Sequence, residues 1–199
     1  MDVRDFSRYT DIIREAHMSP LVRGLSRMPN FDWLLTKPNR DLDRLQGDIL
    51  ANFPTVYLDP NEQVRSKRFT VMVLNNTCDL PNDRLDNVSI APLLDFRKFV
   101  EFEKSKGDRS EKSFDSYVSD VKRNETTELF YLPTVPGFSE GAIAYLHMVC
   151  SVSSKLYYDC VEQGHRLASF TQPGFYFFLM KITNHIARVE SDAVSRDVA

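Results

Sequence analysis

The sequence contains little of what several familiar classes of protein require. It has seven glycines in 199 residues and neither a phosphate-loop pattern nor a Gly-x-Ser-x-Gly pattern, which makes nucleotide-driven chemistry an unfavoured hypothesis. Three cysteines, an odd number, argue against a disulfide framework, and the longest apolar stretches are too short to span a bilayer. The formal charge of −3 provides no broad cationic field. We therefore expect a cytoplasmic protein with no membrane partner and no cofactor, in which any basic site is local.

Residues 1–44 predict a helical leader that packs on the rest of the chain. Its first part has apolar residues at the spacing of one buried helical face. These residues are Phe6, Tyr9, Ile12, Ile13 and Ala16. An aromatic group that includes Phe31 and Trp33 follows, before the turn signal Lys37-Pro38-Asn39. The remaining residues, 45–199, are expected to form one domain.

The middle of the chain predicts antiparallel strands. Residues 69–74 and 88–93 are apolar runs rich in β-forming residues, and the polar connection between them predicts a hairpin. Residues 49–58 predict a third strand, but Pro54 cannot donate a ladder hydrogen bond. That strand is therefore expected to be bulged or to lie at an edge.

The second half mixes helices and strands. Aromatic and valine residues at helical spacing predict two short helices inserted at 95–124, and residues 129–132 and 144–152 predict further strands. In the second of these strands Leu146, Met148, Cys150 and Val152 would share one face, which predicts a core position for Cys150.

A C-terminal amphipathic helix is predicted at 171–188. Thr171 fits the N-cap, Pro173 fits the first turn, and an apolar stripe follows. The stripe consists of Phe175, Phe178, Leu179, Ile182 and Ile186. It either covers the sheet or meets a second copy of the chain, and we favour core packing. The fold class expected is α+β, a small antiparallel β-barrel with inserted helices.

Three short motifs occur in the order seen in a known family. Gly47-Asp48-Ile49 is followed by the strand at 69–74 that ends in Asn75-Asn76, and then by Val88-Ser-Ile-Ala-Pro. This order resembles the MazF/PemK/Kid family of toxin-like SH3-type barrels. The resemblance implies an SH3-like barrel, a toxin-antitoxin or phage-defence setting, and cleavage of single-stranded RNA in a groove between two subunits. It also implies an arginine just before the second strand, where Lys67-Arg68 fits, and a threonine or other polar residue after the third strand, where Leu93-Leu94 stands instead.

Four residues are candidates for catalysis: Arg68, Cys78, Asp79 and His147. Cys78 beside Asp79 has the form of a nucleophile next to a carboxylate, but a neighbouring negative charge opposes thiolate formation. We favour a buried Cys78 and an Asp79 that caps its turn by accepting backbone amide hydrogens. His147-x-x-Cys150 and Cys160-x4-His165 do not provide a zinc site of known spacing, so no metal is expected.

Four cations flank the predicted hairpin: Arg65, Lys67, Arg68 and Arg84. They are candidates for neutralising phosphates of RNA or DNA, with Tyr57 or Phe69 nearby to stack on a base. The alternative is a hairpin with solvated charges.

Three functional hypotheses follow. The first is a non-catalytic module of a toxin-antitoxin or defence system that binds nucleic acid or a partner protein. The second is a metal-independent endoribonuclease, with Arg68 stabilising the phosphorane charge and Asp79 or His147 transferring protons. The third is a structural subunit, or a homodimer, that uses the C-terminal apolar stripe as its interface.

Overall fold

The computed structural model describes residues 31–38, 44–58, 61–81 and 84–186 of the chain. The strands are β1 (Leu35–Thr36), β2 (Ile49–Leu58), β3 (Val64–Val73), β4 (Asn87–Asp95), β5 (Leu129–Leu132), β6 (Ala142–Tyr145), β7 (Cys150–Ser153) and β8 (Arg166–Phe170). The helices are α1 (Phe96–Ser105), α2 (Glu111–Lys122), α3 (Ser154–Glu162) and α4 (Gln172–Ile186). The predicted helix in residues 6–17 lies outside the described residues.

The eight strands form one antiparallel sheet, and the protein is α+β. The order of strands is β1-β8-β2-β3-β4-β6-β5, and β7 pairs with the first half of β4. The strands at the two ends of this path, β1 and β5, do not pair with each other in the described part of the chain, so the sheet is not closed into a barrel.

The predicted hairpin is confirmed. Strand β3 pairs with β4 from Thr70↔Leu93 to Val73↔Ile90. The bulge expected from Pro54 is also present, because the register between β2 and β3 shifts between Leu50 and Phe53. Asn52 lies in this bulge with a φ of 53°, a conformation that asparagine tolerates better than most residues.

The single strand predicted at 144–152 is wrong. Strands β6 and β7 lie along the same edge of β4, and residues 146–149 form a turn between them. Alternation does not continue through a turn, so Leu146 is buried whereas Met148 is exposed. Cys150 is half-buried at the start of β7 rather than in the core.

The C-terminal helix α4 packs against the sheet. Thr171 accepts a hydrogen bond from Gly174 N at 3.0 Å, as an N-cap residue does, and the fully buried Phe177 and Phe178 contact Phe130 of β5. The predicted stripe is partly wrong, since Phe177 lies at the centre of the buried face and Ile186 is exposed. The buried face covers the core, which gives no support to α4 as an interface.

The described part of the leader also packs on the sheet, as a short strand. Leu35 and Thr36 pair with Phe170 and Ser169 of β8, and the ring of Phe31 lies 5.4 Å from that of Phe177. Gly174 allows the close approach of the leader, because a Cβ atom there would lie 2.2 Å from the carbonyl oxygen of Leu34.

A second core cluster lies under helix α3, where Tyr157 and Cys160 pack against Leu50, Phe53 and Val71. Within the described parts of the chain, no helix has the length and apolar character that crossing a lipid bilayer requires.

Candidate nucleic-acid interface

The outer halves of β2 and β3 form a two-stranded ribbon, residues 54–58 and 64–68. Strand β2 pairs with β8 only at Ile49 and Leu50, and β3 pairs with β4 only from Thr70 onward. Among the described strands, both outer edges of the ribbon are therefore unpaired. The ribbon is largely exposed, with Val56 at 60%, Tyr57 at 43% and Val64 at 71% of full exposure.

The register divides the ribbon into two faces. Side chains that oppose each other across an antiparallel pair share a face, and successive pairs alternate between faces. The pairs Tyr57↔Arg65 and Thr55↔Lys67 lie on one face, which we call the basic face. Val56, Ser66 and Val64 lie on the other, which we call the apolar face.

The basic face combines an aromatic ring with two cations. The ammonium nitrogen of Lys67 lies 5.2 Å from the centre of the Phe69 ring, and Arg65 Nη2 donates to Gln63 Oε1 at 2.8 Å. The backbone is held by Thr55, whose hydroxyl donates to the carbonyl oxygen of Lys67 at 3.0 Å. An exposed tyrosine between cations is the chemistry that binds single strands, by stacking on bases and by neutralising phosphates.

Arg68 does not belong to the basic face. It pairs with Pro54, a position that alternation assigns to the opposite face. Its Nη1 donates to the carbonyl oxygen of Asn52 at 2.7 Å, so the guanidinium is bound to the bulge of β2. Arg68 therefore stabilises the point at which the ribbon leaves the sheet.

Arg84, Cys78 and Asp79 lie at the opposite end of β3. Arg84 Nη1 donates to the carbonyl oxygen of Cys78 at 3.1 Å, in the connection that follows Val73. Six residues of strand, about 20 Å, separate Lys67 from Val73. The four cations that flank the predicted hairpin are therefore not one cluster, because Arg84 lies at the other end of β3.

The interpretation of the Cys78-Asp79 turn needs correction. Cys78 is exposed rather than buried. The cap of the turn is Asn76, whose Oδ1 accepts from Cys78 N at 3.1 Å and whose carbonyl oxygen accepts from Asp79 N at 3.0 Å. Asparagine side chains bond their own backbone two residues on, so the preceding Asn-Asn was the better signal.

His147 lies in the turn between β6 and β7, where it is exposed and its ring lies 5.3 Å from that of Tyr145. Strand β4 separates this turn from β3, so His147 and Arg68 are not brought together. The described residues contain no group of three or more histidine, cysteine, aspartate or glutamate side chains placed to hold a metal ion.

A buried polar cluster surrounds Asp48. Its carboxylate accepts from Leu45 N at 3.0 Å, Arg166 Nη1 at 3.2 Å and Ser169 Oγ at 2.5 Å. Burial raises the pKa of Asp48 above its ordinary value, and these donors oppose the rise. The sequence pattern pointed to Asp48 but not to its side-chain partners Arg166 and Ser169, which come from β8 more than 100 residues later in the chain.

This cluster lies beside a cleft of about 720 Å³. The cleft is bordered by the C-terminal end of α3 and by Lys37 and Arg166. The buried hydroxyl of Tyr157 has no hydrogen-bond partner among the described residues, and burial together with the charge of Asp48 raises the pKa of Tyr157. Arg166 is bound to Asp48, so we assign the cluster to holding β2 and β8 together.

Comparison with known proteins adds no family assignment, since the chain matches neither a protein-family model nor a curated protein sequence.

Proposed function

We propose that this protein is a non-catalytic module that binds single-stranded nucleic acid through the basic face of its ribbon. The observation that carries the proposal is the register of β2 and β3, which sets Tyr57 directly opposite Arg65 and places Lys67 on the same face. All three of these side chains are exposed, whereas Thr55 between them is buried. Each of the bases has an apolar face that can stack on the ring of Tyr57, so this contact does not depend on the RNA sequence. Arg65 and Lys67 lie on the neighbouring strand β3, where they can contact the phosphates.

Charge distribution supports a local site. The protein carries a formal charge of −3, so its overall field does not attract phosphates. On β3, however, Arg65, Lys67 and Arg68 are the only charged residues between Val64 and Val73, and β2 carries no charge from Ile49 to Leu58. The two strands together are therefore cationic, which favours a polyanion over a protein surface of mixed charge.

The proposal includes the finer expectations from the resemblance, a distant relation to SH3-type barrels and a role in a toxin-antitoxin or phage-defence system. The order of the motifs at Gly47, Asn75-Asn76 and Ala91-Pro92 supports them. The separation of Arg68 on β3 from Asp79 and His147, which lie in turns at other places in the fold, supports binding over cleavage, because a cleaving site needs these groups around one phosphate.

Fluorescence anisotropy with labelled single-stranded RNA tests the proposal. We expect Tyr57→Ala to weaken binding by about 1–3 kcal/mol through the lost stacking. Lys67→Gln should reduce the slope of log affinity against log salt by about 0.7, the value for one phosphate contact on a single strand. Lys98→Gln, an exposed cation on helix α1, is the matched control and should change neither quantity.

Equal weakening by Lys98→Gln and Lys67→Gln would show non-specific attraction and contradict the proposal. The same samples run on a denaturing gel examine cleavage. Cleavage that disappears in Arg68→Ala would establish the endoribonuclease instead, whereas intact RNA together with Tyr57-dependent binding supports the module.

A further inference from the structure

We propose that the basic face binds one nucleotide together with the two phosphates that flank it, with the sugar-phosphate backbone along β3 and the base over β2. The inference rests on the proposed function and deepens it by naming the unit that is bound, a nucleoside 3′,5′-bisphosphate. This unit exists as a free nucleotide and at every internal position of a single strand.

The charges of the ribbon favour β3 over β2 as the path of the phosphates. Strand β3 carries Arg65 and Lys67 on the basic face, and both side chains are exposed. Strand β2 has no charged residue from Ile49 to Leu58. Because the attraction between a cation and a phosphate falls with distance, the backbone of a bound strand is expected to follow β3.

The spacing of these two cations fits neighbouring phosphates. Residues two apart on a strand point to the same face and lie about 7 Å from each other. This spacing is close to the distance between successive phosphates of an extended single strand, which are joined through one sugar. Arg65 and Lys67 can therefore each bind one of the two phosphates of the same nucleotide.

The position of Tyr57 assigns the base to β2. Tyr57 is exposed and lies directly opposite Arg65, and the two strands are about 5 Å apart. In a nucleotide the sugar sets the base to one side of the phosphates. A base whose phosphates lie along β3 therefore reaches across to the neighbouring strand, where it can stack on the ring of Tyr57.

Both ends of the basic face limit the site to one nucleotide. Towards the sheet, the next residue of β3 on this face is Phe69, which is half-buried and packs against the cluster under α3. Beside Tyr57 on β2 lies Thr55, which is only 4% exposed and has no ring for a second base. Towards the tip, the chain carries the neutral Gln63 and then Glu62, whose charge repels phosphates. Among the described residues, the face thus has no partner for a third phosphate.

Exchanging two neighbouring residues of β3 tests the spacing. The double variant Ser66→Lys with Lys67→Ser keeps the net charge but moves one cation from the basic face to the apolar face. With a labelled single-stranded RNA of twelve nucleotides, the slope of log affinity against log salt should fall from about 1.4 to about 0.7 in magnitude, the values for two phosphate contacts and for one. Circular dichroism checks that the variant is folded.

Nucleotides and short strands test the bound unit and distinguish its two sources. By NMR titration of the full chain, adenosine 3′,5′-bisphosphate should bind about threefold to fivefold more tightly than adenosine 5′-monophosphate, the effect of one exposed charge pair. Single-stranded RNAs of three and twelve nucleotides should have equal affinities once each is divided by the number of positions at which the unit can lie. A bisphosphate that binds at the same amides as the trinucleotide would make free nucleotides a source of the unit.

The outcomes separate failure of this inference from failure of the proposed function. An exchanged variant with the wild-type salt slope, an affinity per position that keeps rising from three to twelve nucleotides, or a monophosphate that binds as tightly as the bisphosphate would overturn the one-nucleotide site. Binding that still depends on Tyr57 would then leave the proposed function standing. RNA binding that Tyr57→Ala leaves unchanged would refute the proposed function, and this inference with it.

Discussion

The inner and outer halves of β2 and β3 have the same backbone pairing but opposite surroundings. Ile49, Leu50 and Phe53 of β2 are fully buried, whereas Val56, three residues on, is exposed. In β3 the burial runs the other way along the chain, from exposed Val64 to buried Val73. The two strands thus provide core at one end and, at the other, the exposed face that we propose binds nucleic acid. This proposal predicts that substitutions at the inner end change stability and that substitutions at the outer end change binding.

The largest expected effect is at the inner end. Phe53→Ala removes a fully buried ring from the cluster under α3 and should lower the free energy of unfolding by about 3–5 kcal/mol. Val64→Ala at the outer end should change it by less than about 0.5 kcal/mol. Urea titration of both variants measures the two changes in the free energy of unfolding. Similar changes at the two ends would mean that the ribbon is packed against something in solution.

Two glycines with similar backbone conformations provide a test of how tightly the inner end is packed. Gly47 and Gly137 have nearly the same φ, 86° and 89°, but a Cβ atom at Gly47 would lie 2.1 Å from Phe170 whereas one at Gly137 meets nothing within 4 Å. Both alanine variants incur the left-handed strain, about 1–2 kcal/mol. Gly47→Ala should cost about 1–3 kcal/mol more, from overpacking, by thermal unfolding. Equal costs would show that the ring of Phe170 moves freely.

The buried half also contains a cation, and its titration should be measurable. Lys181 of α4 is buried and donates to the carbonyl oxygens of Asn124, at 2.6 Å, and Thr126. Burial lowers the pKa of Lys181 from 10.5 to about 8. Between these values the unfolded chain binds more protons than the folded chain, so this group makes stability rise with pH in that range.

Comparison of wild type with Lys181→Met isolates this effect from other titrating groups. From pH 8 to pH 10 the wild type should gain about 1–2 kcal/mol relative to the variant in the free energy of unfolding, by urea titration at each pH. Parallel pH profiles for the two proteins would show that Lys181 keeps its ordinary pKa in the fold.

Local patterns predicted the hairpin, the bulge and the N-cap. The hairpin of β3 and β4 follows from two runs of β-forming residues. Pro54 predicted an irregular or edge strand, and the bulge lies just before it, between Leu50 and Phe53. Helix α3 was missed, since the apolar positions before it continued the alternation of a strand. The pairing of β8 with β1 and β2 is non-local and leaves no trace in the order of residues.

The sequence predicted the residues of the candidate interface but not how they are arranged. Tyr57, Arg65 and Lys67 were all named from the sequence, but the face they share depends on a register fixed by the bulge at Asn52. The same register places Arg68 on the opposite face. Arg84 lies beyond the other end of β3, far from Arg65 and Lys67. Neighbours in sequence become neighbours in space only where the strand geometry allows it.

Hydrogen exchange of the backbone amides, with and without single-stranded RNA, locates the bound strand and so shows whether the ribbon is the binding site. The account predicts slower exchange in residues 53–58 and 64–69 on addition of RNA, and no change in the connection that contains Cys78 and Arg84. Protection confined to that connection, or to the cleft beside Arg166, with the ribbon unchanged, would contradict it.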